Sequence, residues 1–472
     1  MIQALKISHH QKILILSGCL LLSVPLAFVV SRAPLLASAT VFGLAAYILF
    51  VIKPFWGMVA MVFLLPFERI GAIDYVGITV RPSQVIALIL IIAWLTGKVL
   101  KGRLAWQKQP ILWPILFFLG VNAIGLTHAE NMQRSIMVFA FTVFTLIIGL
   151  LIPQIIKTEA QAKIIFLALS ITTLIVSTFG ISQFLGDLAG LPTAITGLRD
   201  LYTKEVLGFP RVQSTALEPL YFANFLILPI SLLAASWFGK TRASGMLGLP
   251  LLIVAGVVFV LTVARGGYLG LIASLIVIFL FSWRQVIKPG KILAFLATGL
   301  VIGFTALQLL SSGTDAFSTQ KFSQHIQNLF SGASYEERVA TFDLAKQAFR
   351  EQPLVGIGPG QFGPYASINP FFEPKDGWKI VNNLTLELLA ETGILGLSSI
   401  VVVFGVLLWR SIKALKSQPS PWLRSLLVGG TAALVGIFVQ YQTFSILYII
   451  HVWVAVGLLV AFQNLALAPE RE

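Results

Sequence analysis

The chain has little charge and almost no cysteine. Charged residues make up 11% of its 472 residues and hydrophobic residues 57%, which is far outside the usual balance of soluble domains. The single cysteine, Cys19, excludes both an internal disulfide and a cysteine-based metal cluster. Acidic residues are scarcer than basic ones, with 19 Asp and Glu against 33 Lys and Arg. This composition leaves no room for a large water-soluble domain and indicates a membrane protein.

Long uncharged runs take the place of the missing charge. A hydrocarbon core about 30 Å thick needs roughly 20 apolar residues per helix, and fourteen runs are apolar enough to sit there. We therefore predict an all-α fold, a polytopic membrane bundle of about 12–14 transmembrane helices forming a single transmembrane domain, 1–472. A polar segment, 311–381, is predicted to be one long loop inserted between helices. The predicted spans are 13–30, 34–52, 54–67, 84–100, 111–128, 135–153, 163–184, 218–239, 248–264, 266–283, 292–310, 393–409, 425–441 and 443–463.

The basic residues indicate the orientation of these spans. With the N-terminus inside, the inner loops and termini carry 19 Lys and Arg with three acids, and the outer side carries 14 with 16 acids. The positive-inside rule favours this arrangement. It places both termini in the cytoplasm and the long loop outside, and we interpret the first run as a retained anchor. The basic excess is then a topology signal, and no nucleic-acid partner is expected.

The long loop is predicted to contain an amphipathic helix. Ser334-Tyr-Glu-Glu337 fits a capping box with Ser334 as the N-cap, and the helix should continue to about Gln352, before Pro353. It could lie on the outer membrane surface or cover the bundle. Its predicted apolar face consists of Val339, Phe342, Ala345 and Phe349.

Three arginines are candidates for chemistry at the outer side. Arg265 lies in a tight turn between two apolar runs, where a guanidinium must reach the interface or find an anionic partner. The glycines beside it permit close approach of a ligand or of a neighbouring helix. Arg211 precedes the eighth span, and Arg338 lies on the predicted loop helix.

Glu218 can be interpreted as a structural residue or as a functional one. Because Pro219 follows it, Glu218 suits an N-cap position with proline in the first helical turn; alternatively, Thr215 and Glu218 could form a capping box. Both are structural roles. A role for Glu218 as a base or as a partner of an arginine is about as well supported by the sequence.

Asn383, Glu387 and Glu391 fall at i, i+4 and i+8 in the segment that returns to the membrane. They are predicted to form one polar stripe along a helix. Carboxylates so close to the bilayer need a partner or a function, and a stripe paired with arginines inside the bundle would satisfy that need structurally.

The segment Gly356-Ile-Gly-Pro-Gly-Gln-Phe362 resembles a phosphate-binding loop when it is taken alone. No strand precedes it and no Lys-Ser/Thr pair follows it, so a nucleotide site is not expected. A tight backbone turn is the default interpretation, and amides exposed to a lipid phosphate are the alternative. The five histidines show no metal-ligand spacing, and no metal or cofactor is predicted.

Three motifs in this order resemble the O-antigen ligase/polymerase family of bacterial envelopes. The first is Thr-Val-Ala-Arg265-Gly-Gly-Tyr268-Leu-Gly. The second runs from Glu-Arg338 through a helix to Pro353-Leu-Val-Gly-Ile-Gly358-Pro-Gly360-Gln-Phe362. The third is Asn382-Asn383-Leu-Thr-Leu-Glu387-Leu-Leu-Ala-Glu391-Thr-Gly-Ile-Leu-Gly396.

The resemblance implies a GT-C-type glycosyltransferase in the bacterial inner membrane, with the long loop in the periplasm. Such an enzyme takes a glycan from an undecaprenyl-diphosphate carrier and joins it to an acceptor glycan in envelope or exopolysaccharide biosynthesis, alongside a flippase and a chain-length regulator. It requires no metal or cofactor. The predicted catalytic residues are Arg211, Arg265, Arg338, Glu218 and Glu387, and the predicted substrate-binding residues are Asn382, Asn383, Glu391, Gly358, Gly360 and Tyr268.

One position departs from the family pattern. Family ligases usually carry His-Asn at the start of the third motif, and that histidine is thought to act on the acceptor hydroxyl; here Asn382 takes its place. Asparagine cannot serve as a general base near neutral pH. The departure favours a polymerase that joins repeat units over a ligase onto a lipid or protein acceptor, with Glu218 or Glu387 as the proton acceptor.

A small-anion or solute transporter is the alternative function. Transporters place their polar groups near the bilayer midplane, at interrupted helices in paired halves. In this sequence the candidate residues gather at the outer ends of the spans and no half-repeat is visible, which favours the enzyme.

Overall fold

The computed structural model describes most of the chain. The first predicted span, 13–30, and Cys19 lie outside the described residues. The described residues are 34–75, 78–102, 106–107, 109–239, 245–286, 289–311, 333–368 and 378–468.

Apolar helices dominate the described residues. By length and composition, nine of these helices can cross a membrane, and four shorter apolar helices accompany them. Each of the other thirteen predicted spans coincides with one of these helices, so the all-α membrane bundle is confirmed. The α-helices are α1 Pro34–Ile52, α2 Pro54–Phe63, α3 Pro82–Leu100, α4 Leu112–Gly125, α5 Met132–Ile155, α6 Glu159–Leu188, α7 Thr193–Thr196, α8 Lys204–Leu207, α9 Pro219–Phe238, α10 Gly245–Leu261, α11 Arg265–Val286, α12 Pro289–Ser311, α13 Ala333–Glu351, α14 Phe362–Ser367, α15 Leu384–Lys416, α16 Pro421–Gln440 and α17 Ile450–Leu467.

A short hairpin was not predicted from the sequence. Strands β1 (Ile73–Tyr75) and β2 (Ile78–Val80) pair antiparallel, with Ile73 opposite Val80. Three residues per strand are too few to give a clear alternating pattern.

The chain divides into two compact units. One contains 1–58 and 86–104, and the other contains 59–85 and 105–472. In the first unit, the Tyr47 hydroxyl donates to Thr96 Oγ1 at 3.0 Å. That a single transmembrane domain spans 1–472 stays a prediction.

Small residues let the helices of the second unit approach closely. A Cβ on Gly270 of α11 would lie 2.6 Å from the Gly436 carbonyl oxygen of α16, and the Ser274 hydroxyl donates to Ala432 O at 2.9 Å. Such contacts are how helices pack in lipid, where the hydrophobic effect does not drive them together. α9 is at the centre of this unit, with 89% of its span buried.

The loop helix forms where it was predicted, with two corrections. It spans Ala333–Glu351, so Ser334 lies inside the helix and is not its N-cap. Val339 is 37% exposed because the buried face is rotated from the predicted one. That face packs with α15 and the segments around it; the buried core there consists of Ala345, Ala348, Ile357, Phe362, Ala366, Val381 and Ala390. The helix therefore covers the bundle, which was one of the two predicted positions.

Glu218 is the N-cap residue of α9, and Pro219 is in its first turn. The capping-box alternative is wrong, because the Thr215 hydroxyl donates to the carbonyl of Pro66 at 2.6 Å. The Glu218 side chain makes no capping hydrogen bond, so its carboxylate is available for another role.

Candidate active site

A strained turn places Arg265 at the start of α11. α10 ends at Leu261 and α11 begins at Arg265, as the tight turn predicted. Val263, between them, has φ = 50°, a left-handed conformation that is rare for a β-branched residue. Strain of this kind persists only where surrounding contacts hold it. One such contact is the Tyr268 hydroxyl, which donates to Val260 O at 2.5 Å.

The segment that carries Arg211 lies along this turn. The Val212 amide donates to Leu261 O at 3.0 Å, and Arg211 Nη2 donates to Val263 O at 3.4 Å. The Arg211 guanidinium also lies 5.7 Å from the ring of Tyr202. These contacts bring Arg211 and Arg265 to the same end of the bundle.

Arg338 reaches the site from the loop helix α13. The Thr341 hydroxyl, one turn further on, donates to Arg338 O at 2.8 Å and to Val381 O at 3.3 Å. Glu337, the residue before Arg338, forms an ion pair with Lys379. Among the described residues, no carboxylate lies within ion-pair distance of Arg338.

The three arginines form a cluster of like charge, which we call the arginine cluster. Arg265 interacts electrostatically with both Arg338 and Arg211. Burial lowers the pKa of Arg211, although Tyr202, Tyr268 and Glu218 oppose that effect, and burial also lowers the pKa of Arg338. Guanidinium groups stay ionised even so. Gathering three of them costs free energy, which an anion bound between them would offset.

Arg211 retains unused hydrogen-bonding capacity. Its Nε is buried and has no hydrogen-bond partner in the described part of the chain, and its Nη2 contact with Val263 is long. A buried donor without a partner is rare in folded proteins and is consistent with a ligand that supplies the acceptor.

Glu218 follows Arg211 in the segment that leads into α9, and the structure keeps the two close. Their charges interact, and the Glu218 side chain is partly exposed. The Glu218 carboxylate thus lies near Arg211 and is partly open to solvent.

Asn382 and Asn383 both have backbone roles at the start of α15. Asn382 has φ = 59°, a conformation that asparagine tolerates better than most residues. Its backbone N–H donates to Ser445 Oγ at 3.1 Å. Asn383 is the N-cap and accepts from the Leu386 amide at 3.0 Å. The structure thus assigns both residues to helix initiation, and their role in substrate binding stays a prediction.

Glu387 and Glu391 lie on one buried side of α15, as the stripe predicted. Glu387 Oε2 accepts from the Val381 amide at 3.0 Å and from the Ser445 hydroxyl at 2.5 Å. Because Val381 O accepts from Thr341, Glu387 helps to hold the helix that carries Arg338. These contacts favour a positioning role, and proton transfer by Glu387 stays a prediction.

Glu391 holds the glycine turn, residues 356–362. Its two carboxylate oxygens accept from the Gly360 amide at 2.9 Å and the Phe362 amide at 3.0 Å, and its backbone carbonyl accepts from the Gly358 amide at 3.1 Å. These amides are therefore already bonded within the protein. The contacts favour the tight-turn interpretation over a phosphate cradle, and substrate binding by Gly358, Gly360 and Glu391 stays a prediction.

A kink in α15 completes this arrangement. Gly393 has φ = 62° inside the helix, so the next two amides leave the helical pattern. Ile394 donates to Pro353 O at 2.9 Å and Leu395 donates to Leu354 O at 3.2 Å. The segment that follows α13 is thereby hydrogen-bonded to the backbone of α15.

A small cavity of about 30 Å³ lies beside the two carboxylates. Asn122, Glu387, Glu391 and Tyr448 are among its lining residues, and burial raises the pKa of Tyr448 to about 12. The volume suits one or two waters, so this cavity is too small for a sugar.

Sequence reasoning missed Glu68 and Arg134. Glu68 Oε2 accepts from the Leu217 amide at 3.0 Å, which steadies the segment between Arg211 and Glu218. Burial raises the Glu68 pKa, and the charge of Arg81 opposes that effect. Arg134 donates through Nε to Gly360 O at 2.6 Å. Glu68 and Arg134 are single charged residues, and nothing in the sequence around either one identifies its distant hydrogen-bond partner.

No group of three or more His, Cys, Asp and Glu suited to a metal occurs among the residues that the structure describes. Comparison with protein families identifies residues 250–401 as a match to the family described as O-Antigen ligase. The match contains Arg265, Arg338 and the third motif, and it confirms the family predicted from the motifs. No curated protein matches the chain.

Proposed function

Since the chain carries an O-antigen ligase domain at residues 250–401, we propose that it is a membrane glycosyltransferase that polymerises lipid-linked oligosaccharides. The donor is a glycan on undecaprenyl diphosphate, and the acceptor is the hydroxyl of another glycan. Catalysis takes place at the outer ends of the helices, which face the periplasm when the inner membrane holds both termini in the cytoplasm.

The arginine cluster carries this proposal. The bond between the sugar and the diphosphate breaks with build-up of negative charge on the leaving group. One guanidinium group can bind two phosphate oxygens at once through two N–H donors. Hydrogen-bond donors that are fixed where charge develops stabilise the transition state more than the ground state. Arg211 and Arg338 each lie within electrostatic reach of Arg265, so these three groups can neutralise the diphosphate without a metal.

The transfer step needs one further group, a proton acceptor. The acceptor hydroxyl oxygen forms a bond to the anomeric carbon while the bond from that carbon to the diphosphate oxygen breaks, and the lipid diphosphate leaves with the electron pair. The hydroxyl proton passes to Glu218. This carboxylate is partly exposed and makes no capping bond, whereas the carboxylate of Glu387 already accepts two hydrogen bonds.

Asn382 supports a polymerase over a ligase. The family histidine that acts on the acceptor is replaced here by a residue without basicity, whose left-handed backbone suits asparagine. A ligase onto a lipid or protein acceptor would share the donor site and differ in the acceptor.

The position of the site argues against a transporter. Arg265 and Leu384 begin their spans, Glu218 immediately precedes one, and Thr443 ends another. A transported solute would instead need its polar groups near the middle of the membrane.

Reconstitution tests the function directly. The full chain in liposomes is supplied with a purified undecaprenyl-diphosphate oligosaccharide, without nucleotide and with a chelator present. We expect the glycan chains to lengthen and undecaprenyl diphosphate to be released. Transfer only to a supplied lipid-A-type acceptor would identify a ligase, and absence of any transfer would refute the enzyme.

Arg338→Ala should abolish long glycan chains while the protein still accumulates in the membrane. Loss of one fixed donor to a developing charge costs about 10²–10³ in rate. Arg350→Ala is the matched control, because Arg350 is on the same helix and exposed. Equal chain lengths in the two variants, measured on gels of extracted glycan, would remove Arg338 from the mechanism.

Glu218→Gln should slow chain growth by about 10²–10⁴, the usual contribution of a general base. Binding of the lipid-linked donor should be unchanged, because the arginine cluster remains intact. Glu205→Gln, an exposed acid in the same outer loop, should behave as wild type. A Glu218→Gln enzyme with normal kcat would contradict the assignment of the base.

A further inference from the structure

A second, larger cavity lies at the opposite end of the helices. It has a volume of about 140 Å³, and Ala235, Ser282, Arg424 and Ser425 are among the residues that line it. None of its lining residues is Asp or Glu. The cavity therefore combines one positive charge with hydroxyl groups.

The ends of the spans set its depth in the membrane. Three candidate spans end or begin around it, at Phe238, Trp283 and Pro421. The same three helices carry Pro219, Arg265 and Thr443 at their other ends, beside the candidate active site. The cavity thus lies at the boundary that the charge distribution assigns to the inner side of the membrane.

Arg424 is only weakly engaged by the protein. Its Nη1 donates to Leu415 O at 3.3 Å and its Nη2 to Phe281 O at 3.5 Å. Charge-assisted bonds to an anion are shorter, about 2.7–2.9 Å. In the described part of the chain no carboxylate pairs with Arg424. Its guanidinium would therefore be the strongest hydrogen-bond donor available to an anion in the cavity.

The first turn of α16 adds to the positive potential. This helix of 20 residues begins at Pro421, and the amides at a helix start carry a partial positive charge. Ser420 caps the Leu423 amide at 3.2 Å. Glu159 accepts from the Ser420 hydroxyl at 2.9 Å but does not line the cavity.

We propose that this cavity binds the headgroup phosphate of an anionic phospholipid from the inner leaflet. Basic pockets between transmembrane helices on the cytoplasmic side are suited to such headgroups. A water needs only about 10–15 Å³ of cavity volume, so the space admits a group of phosphate size. Arg424 would bind the phosphate oxygens, with the Ser282 hydroxyl beside them; the Ser425 hydroxyl already donates to Pro421 O at 3.0 Å.

Lipid binding to the purified full chain tests the proposal. Native mass spectrometry and thermal unfolding in detergent would be measured with phosphatidylglycerol, phosphatidylcholine or inorganic phosphate. We expect phosphatidylglycerol to bind and to raise the Tm, with a clearly smaller effect of phosphatidylcholine and none of inorganic phosphate. An equal response to phosphatidylcholine would overturn the preference for an anionic lipid, and a response to inorganic phosphate alone would overturn the lipid assignment.

Two variants probe the cavity in different ways. Arg424→Gln removes the charge, and Ala235→Leu fills the space while Arg424 stays in place. Each should weaken phosphatidylglycerol binding at least about tenfold, equivalent to about 1.4 kcal/mol. Lys413→Ala is the control, since Lys413 is exposed and lies over Trp409 outside the cavity, and it should bind as wild type. Because Ala235→Leu keeps the guanidinium, undiminished binding in that variant refutes the site even if Arg424→Gln fails to fold.

Discussion

Arg265→Lys should reduce glycan polymerisation by about 10²-fold or more although the charge is kept. Lysine is a point charge on a flexible stem, whereas arginine offers a planar fork that binds two phosphate oxygens at once. The turn at Val260–Ala264 fixes the start of α11, so the shorter ammonium group cannot recover the second contact. Initial rates of chain extension in reconstituted liposomes measure the effect.

Arg199→Lys is the matched control for this change. Arg199 is an exposed arginine of the same outer side, and its replacement should leave the rate unchanged. If Arg265→Lys retained the wild-type rate, paired contact of Arg265 with the diphosphate would be ruled out, and a long-range charge effect would remain as its only role.

Gly393→Ala should destabilise the protein by more than about 3 kcal/mol. Gly393 has φ = 62° and ψ = −167°, a backbone conformation that essentially only glycine adopts and that costs another residue about 1–3 kcal/mol. A Cβ there would also overlap the Leu354 carbonyl and lie 2.6 Å from the Val355 amide nitrogen. These are backbone atoms that cannot rotate away, and clashes of this kind belong to the most damaging substitutions. Thermal unfolding in detergent should show a midpoint lower by several degrees.

Gly405→Ala is the control within the same helix. No atom lies within 4 Å of a Cβ at Gly405, and alanine favours a helix over glycine by up to about 1 kcal/mol. This variant should unfold at or slightly above the wild-type temperature. A similar loss in both variants would mean that neither the backbone conformation of Gly393 nor the crowding around it makes this position special.

The span pattern could be predicted from the sequence because it depends on local composition. Thirteen predicted spans coincide with described helices, and Glu218-Pro219 correctly marked the start of α9. Helix boundaries were less certain. Ser334 offered a good capping sequence, yet the helix already includes Ala333.

The candidate site was only partly visible in the sequence. The resemblance identified Arg211, Arg265 and Arg338, but a sequence cannot say whether residues so far apart along the chain meet. The glycine turn shows the same limit. Its glycines resembled a phosphate loop, but its amides bond to Glu391, 29 residues beyond Phe362.

Composition by itself determined that this chain is a helical membrane protein, because apolar runs are stable in the bilayer wherever they occur in the sequence. The order of the motifs by itself predicted the O-antigen ligase match at residues 250–401. Only the tertiary structure decided that Arg211 and Arg338 both lie close to Arg265, that Glu391 holds a turn, and that Glu68 and Arg134 support the site. Those facts depend on hydrogen bonds and packing between distant segments, and such partners are chosen when the helices assemble.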